Sequence, residues 1–187
     1  MEQPAHPALK ALAFANGLRK SVAAGGRRWT LWPGGAGTLA SIVDCIDYIR
    51  ERLHEAPNSD AGAASVAVCV DELRAILEWT TYQSAALATA RALATARKVR
   101  SLAKQFGLSD DRVSGLAALA ESERSLIDDV ATKTGYMRAI AERYPHLELP
   151  RPLVDAASLT PKPAAAPGKL ALIQQLMKRP GKPPPSR

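Results

Sequence analysis

The sequence predicts an all-α protein: a helical bundle built on a long antiparallel helical hairpin, with a flexible Pro/Ala-rich C-terminal extension. Three observations predict it. Apolar residues recur every three or four positions over most of residues 7–144, the repeat of helices with one buried stripe. Aromatic residues make up only 5% of the chain while alanine is abundant, which suits helices packed through small side chains better than sheets of β-branched and aromatic residues. Two long periodic stretches are joined by the short turn Phe106-Gly107-Leu108, and a connection that short makes the helices it links antiparallel.

Each element has its own signals. Pro7 opens a first helix that runs to about residue 24, with Leu9, Leu12, Ala13 and Val22 near one face and Gly25-Gly26 ending it. Residues 27–37 are a loop rich in glycine with at most a short extended piece. Thr38 is the expected N-cap of a second helix to about residue 55, whose apolar positions are Leu39, Ile42, Val43, Ile46, Ile49 and Leu53. Pro57-Asn58-Ser59 stops it. Ser59 or Asp60 starts a third helix, patterned through Val66, Val70, Leu73, Leu77, Thr80, Leu87, Ala90, Leu93 and Val99 to Phe106. That is about 65–70 Å of helix, and a break would fall at Trp79-Thr80-Thr81-Tyr82, where β-branched and aromatic residues cluster. A fourth helix starts at Ser109, with Asp110 and Asp111 against its positive end. Its stripe runs from Val113 through Leu116, Ala120, Ile127, Val130, Thr134, Met137 and Ala141 to Tyr144, before Pro145.

The chain so divides into a basic N-terminal helix with a Gly/Trp loop (1–37), a helical bundle (38–147), a linker of Pro, Ala and Lys (148–167), and a short amphipathic helix with a basic tail (168–187). Leu170, Ile173, Leu176 and Met177 form the apolar face of that last helix. At about ten residues it is too short to stand alone. It is expected to dock on the body of the protein or in a partner's groove, which makes these four the candidate partner-binding residues. The unusual length of the third and fourth helices adds homo-oligomerisation or assembly into a larger complex as an expectation.

Charge is distributed unevenly. Residues 1–35 hold five basic residues against Glu2 and residues 151–187 hold seven against Asp155, so the ends carry +4 and +6 while the segment between carries −3. Basic arms on a near-neutral body favour a polyanionic partner, because Lys and Arg displace counterions from phosphate backbones. The candidate nucleic-acid-binding residues are Arg27 and Arg28 with Trp29 and Trp32, which together could hold phosphates and stack bases. To these are added Arg91, Arg97, Lys98, Arg100 and Lys104, from a run without acidic residues in which Arg97, Arg100 and Lys104 share a helix stripe. Each has a structural alternative: tryptophans beside glycines pinned against a core, and basic residues paired with Glu121, Glu123, Asp128 and Asp129 on the antiparallel neighbour.

Residues 102–116 resemble the helix-turn-helix motif of DNA-binding regulators. Ala103, Gly107 and Val113 stand at its small, glycine and β-branched positions, and Leu102, Phe106, Leu108 and Leu116 at its flanking apolar ones. The resemblance implies a second helix that reads DNA through Ser109, Asp110, Arg112 and Ser114. The same residues also describe a plain hairpin: Gly107 as a helix stop, Ser109 as an N-cap, and acids on the helix dipole. In composition and helix content the chain is also similar to the small helical basic subunits of CRISPR effector complexes.

Enzyme chemistry is the poorest reading. Gly35-Ala36-Gly37-Thr38-Leu39-Ala40 has the form of a dinucleotide fingerprint without the strand it needs, and Glu51-Arg52-Leu53-His54 is one E-x-x-H where di-iron bundles use two. No cofactor, metal site or small-molecule substrate is expected. The two cysteines, Cys45 and Cys69, lie within apolar-periodic segments. There is no secretory leader pattern and no apolar run of membrane-spanning length, so a cytoplasmic protein without a membrane partner is expected.

Overall fold

A computed structural model describes residues 7–108 and 114–160. The helices are α1 (Pro7–Gly25), α2 (Gly35–Glu55), α3 (Asp60–Gln105), α4 (Ser114–Arg143) and the short α5 (Ala156–Leu159), with 3-10 turns at Gly26–Leu31 and Pro145–Leu147. The fold is all-α. No helix among the described residues is long and apolar enough to cross a membrane.

α3 is the axis. Its 46 residues span about 69 Å without a break at Trp79-Thr80-Thr81-Tyr82. Trp79 and Thr80 are buried there, and the hydroxyls of Thr80 and Thr81 donate back to the Leu77 carbonyl. The buried seam runs through Val66, Cys69, Leu73, Ile76, Thr80, Gln83, Leu87 and Ala90. Those alternating steps of three and four are the repeat of coiled-coil packing. Leu77 and Val99, expected in the stripe, lie beside the seam and are exposed. α4 packs antiparallel along α3, fastened by the stacked rings of Tyr82 and Tyr136 at 5.2 Å and by the Thr89 hydroxyl, which donates to Asp129 at 2.7 Å.

α1 and α2 cover the N-terminal half of α3. The buried face of α1 is Ala8, Ala11, Ala15, Leu18 and Val22, while Leu9 is 60% exposed. Alanines at alternating spacings of three and four let α1 approach its neighbours closely, and that seam overrides the larger leucine. The Arg19 guanidinium grips Asp47 of α2 through both carboxylate oxygens, at 2.9 and 3.0 Å. α2 begins at Gly35, three residues before the expected cap. Thr38 is a buried interior residue.

The expected linker does not begin at residue 148. Leu147 and Val154 are core residues, and Leu149, Leu153, Ala156 and Leu159 are partly buried against the same core. Residues 148–155 carry no regular structure, but their prolines do not exclude burial of the apolar residues between them. The backbone amide of Leu153 donates to Gln83 Oε1 at 3.0 Å, and Asp155 caps α5 while pairing with Arg138. The Leu147 carbonyl accepts from the Cys45 thiol at 2.9 Å. Burial first, and then Asp44, push that thiol up to about 11. Burial also raises the Cys69 thiol, so both cysteines stay protonated and inert.

Candidate nucleic-acid interface

The 3-10 turn Gly26–Leu31 carries Arg27 and Arg28 on its exposed side and Trp29 on its buried side. Trp29, 2% exposed, meets Trp79 edge-on at 6.1 Å, and its indole N–H donates to Ser84 Oγ at 3.2 Å. Gly34 takes a left-handed φ of 77° and turns the chain so that Gly35 lies on the Trp29 carbonyl. A Cβ at Gly35 would stand 1.8 Å from that oxygen, so the turn closes only with glycine there. Trp29 therefore cannot stack bases. Trp32 is half-buried against the same core. Both tryptophans act as anchors that hold the arginines up.

Trp29 brings this turn onto α3 beside Arg91, whose guanidinium approaches the Arg28 carbonyl at 3.5 Å. Between them lies a cleft of about 270 Å³, lined by Ala24, Gly25, Arg28, Trp29, Ser84, Leu87, Ala88 and Arg91. Lys98 lies two helical turns beyond Arg91 on the same exposed face, about 10 Å along the axis. Residues 3–43 and 79–108 contain no Asp or Glu. The fold joins these two acid-free stretches, and Arg27, Arg28, Arg91 and Lys98 have no acidic partner among the described residues.

The other stripe has a different character. Glu123 of α4 receives Arg100 at 2.8 Å and Arg97 at 3.4 Å, and Arg97 also donates to the Leu159 carbonyl at 2.6 Å. These two arginines lock α3, α4 and α5 together. Lys104 is exposed and lines a shallow groove with Arg97, Arg100 and Glu123. Arg112, and the apolar set Leu170, Ile173, Leu176 and Met177, lie outside the described residues.

Among the described residues the hairpin end lacks the packing of a helix-turn-helix. Gly107 has φ 71°, its amide bonds the Lys104 carbonyl at 3.0 Å, and that of Leu108 bonds Ala103 at 3.0 Å, the two bonds of a glycine helix stop. Phe106 is 79% exposed and Leu102 and Leu108 are also exposed, whereas the motif would bury all three between its helices. Leu116 alone of the flanking set is buried.

Burial works to raise the Glu123 carboxyl, but hydrogen bonds from Arg100 and Arg97 outweigh it and hold it below its ordinary 4.5. Burial of Asp47 is likewise outweighed by Arg50 and Arg19, which keep it below 3.8. Asp129 is lowered by hydrogen bonds from Lys133 and Thr89 against a weaker burial effect. With folded values below unfolded ones, the unfolded chain takes up protons first as pH falls. The stabilisation is complete above about pH 5 and disappears as pH drops through roughly 4 and below. The melting temperature should therefore hold from about pH 7 to 5 and fall steeply beneath. Glu123→Gln should flatten part of that fall in calorimetric scans, and an unchanged slope would remove Glu123 from the account.

Other sequence features gather no chemistry. Glu51 and His54 are both exposed on α2, and no group of three or more His, Cys, Asp or Glu among the described residues could hold a metal ion. The glycine fingerprint opens α2 after a 3-10 turn, with no strand before it. No protein-family model, curated protein or solved structure matches the chain, so the reading of this surface rests on its own geometry.

Proposed function

We propose that the chain is a non-enzymatic, nucleic-acid-associated helical protein, a cytoplasmic regulator or small subunit of a nucleoprotein complex. It holds a sugar-phosphate backbone on Arg27, Arg28, Arg91 and Lys98. The observation that carries this reading is the gathering of four exposed cations, none with an acidic partner among the described residues, on a surface built from two acid-free segments. Such cations have no ion pair to give up on meeting phosphate, and they gain by releasing its counterions. Arg97 and Arg100 would have to leave Glu123 first and contribute little.

Fluorescence anisotropy with a labelled oligonucleotide tests the reading. Affinity should fall linearly in log–log form with salt, by about 0.7 per phosphate neutralised on a single strand. No binding at about 50 mM salt, where phosphate contacts are strongest, would refute it.

One observation favours a second reading, an assembly or adaptor role. Val99, Leu102, Phe106 and Leu108 are exposed together at the hairpin end, an apolar group of the kind that marks contact sites. Sedimentation of the full chain should then show self-association that Phe106→Glu abolishes. A monomer at all concentrations would count against oligomerisation through this end.

A further inference from the structure

The cleft beside Trp29 does more than present charge. Granted the nucleic-acid reading, on which the inference rests, the geometry points to this cleft as the seat of one unpaired nucleotide, making the protein a binder of single strands in preference to duplex. Its volume of about 270 Å³ falls just under the roughly 300–1,000 Å³ of drug-sized sites. That is the scale of a base with its sugar and too small for a base pair.

The lining argues for a base. Arg28 and Arg91 bring positive charge to the cleft, while Leu87, Ala88 and Ala24 form an apolar wall. Phosphates gain nothing from that wall. The face of an unstacked base does, and guanidinium planes beside it serve both for stacking and for the flanking phosphate. A duplex keeps its base faces inside the stack, so it could use the arginines but not the cleft. Ser84 adds a polar contact: its oxygen already accepts from the Trp29 indole, which leaves the hydroxyl proton for an acceptor on a base edge. Trp29, held by Trp79 and by the close approach of Gly35, makes this wall rigid before any ligand arrives, which limits the ordering cost of binding.

The full chain is titrated into labelled oligothymidylate, labelled oligouridylate and a blunt DNA duplex, each of about 20 nucleotides per strand, at about 50 mM salt. Either single strand should bind about tenfold more tightly than the duplex, within the range that one stacked base contributes. Ala88→Leu fills the cleft without altering charge. It should erase that preference while leaving duplex affinity within about twofold. Ala24→Leu fills the same space from the α1 side of the cleft and serves if the first variant melts early. Arg28→Ala with Arg91→Ala should weaken all three probes. Whichever single strand responds to cleft filling distinguishes DNA from RNA as the source of the nucleotide. If both filling variants leave single-strand affinity unchanged, the seat is refuted and the surface-charge reading stands. If none of the three probes binds, the surface-charge reading falls with it.

Discussion

Replacing Arg27, Arg28, Arg91 and Lys98 together by alanine should lower the salt dependence of single-strand binding by roughly three, at about 0.7 for each lost phosphate contact. At about 50 mM salt the affinity should drop by on the order of a hundredfold or more. The same change at Arg97 and Arg100 should cost far less binding, because Glu123 already occupies their guanidinium groups. Its effect should appear in stability instead, since those arginines hold α3 to α4 and to the Leu159 carbonyl. The pair of experiments separates the surface of Arg27, Arg28, Arg91 and Lys98 from the Arg97 and Arg100 stripe, which faces α4 on another side of α3. Equal losses of binding from both sets would mean that the whole basic run acts as a diffuse field, and would remove the case for a site around Arg28 and Arg91.

Arg52→Met should destabilise the fold by about 3 kcal/mol, because it strands a buried carboxylate. Glu72 is 1% exposed in the middle of α3. Arg52 of α2 reaches its Oε2 at 2.6 Å, and the His146 ring nitrogen lies 2.9 Å from Oε1. These contacts tie α2, α3 and the turn after α4 at one point. Removing the arginine leaves the charge with the partly exposed histidine alone. Removing both charges in Arg52→Met with Glu72→Leu should recover stability to within about 1 kcal/mol of the original, since an apolar pair escapes the desolvation cost. Arg74→Met is the control. Its pair with Asp71 is well exposed on both sides, and such pairs contribute about 0–1 kcal/mol. Urea midpoints for the three variants decide the matter. A loss at Arg52 no larger than at Arg74 would show that Glu72 does not depend on it.

The legibility of the fold and of the site differed for physical reasons. Helix periodicity is a local property, so the span of α3, the stop at Gly107 and the antiparallel hairpin could be read from spacing and turn chemistry. The choice of face on α1 could not. Leu9 outranks Ala8 and Ala11 in hydrophobicity, yet the alanines are buried, because closeness of approach between helices is settled only when both surfaces are present. The prolines of residues 150–163 read as a linker for a similar reason: proline reports the absence of hydrogen-bonded structure, and the burial of Val154 is decided only once its neighbours Leu153 and Asp155 are fixed to Gln83 of α3 and Arg138 of α4. The candidate site was partly legible. Arg27, Arg28, Arg91 and Lys98 stand out as cations in acid-free runs, but their proximity depends on Trp29 reaching across 55 residues to Ser84. Nothing in the order of residues announces that contact. The Arg52–Glu72–His146 cluster was missed altogether, since its members are scattered over three elements and each alone looks like an ordinary surface charge.

The sequence by itself determined the all-α class, the long hairpin and the inventory of basic groups. These depend on side-chain periodicity, on glycine and proline, and on composition, all of which act over a few residues. Only the tertiary structure decided which arginines are committed to Glu123 and which remain for a ligand, that Trp29 is an anchor rather than a stacking platform, and that a cleft opens beside it. Burial, ion pairing and cavities are relations between distant segments. They come into being when α1, the turn after it and α4 close on α3.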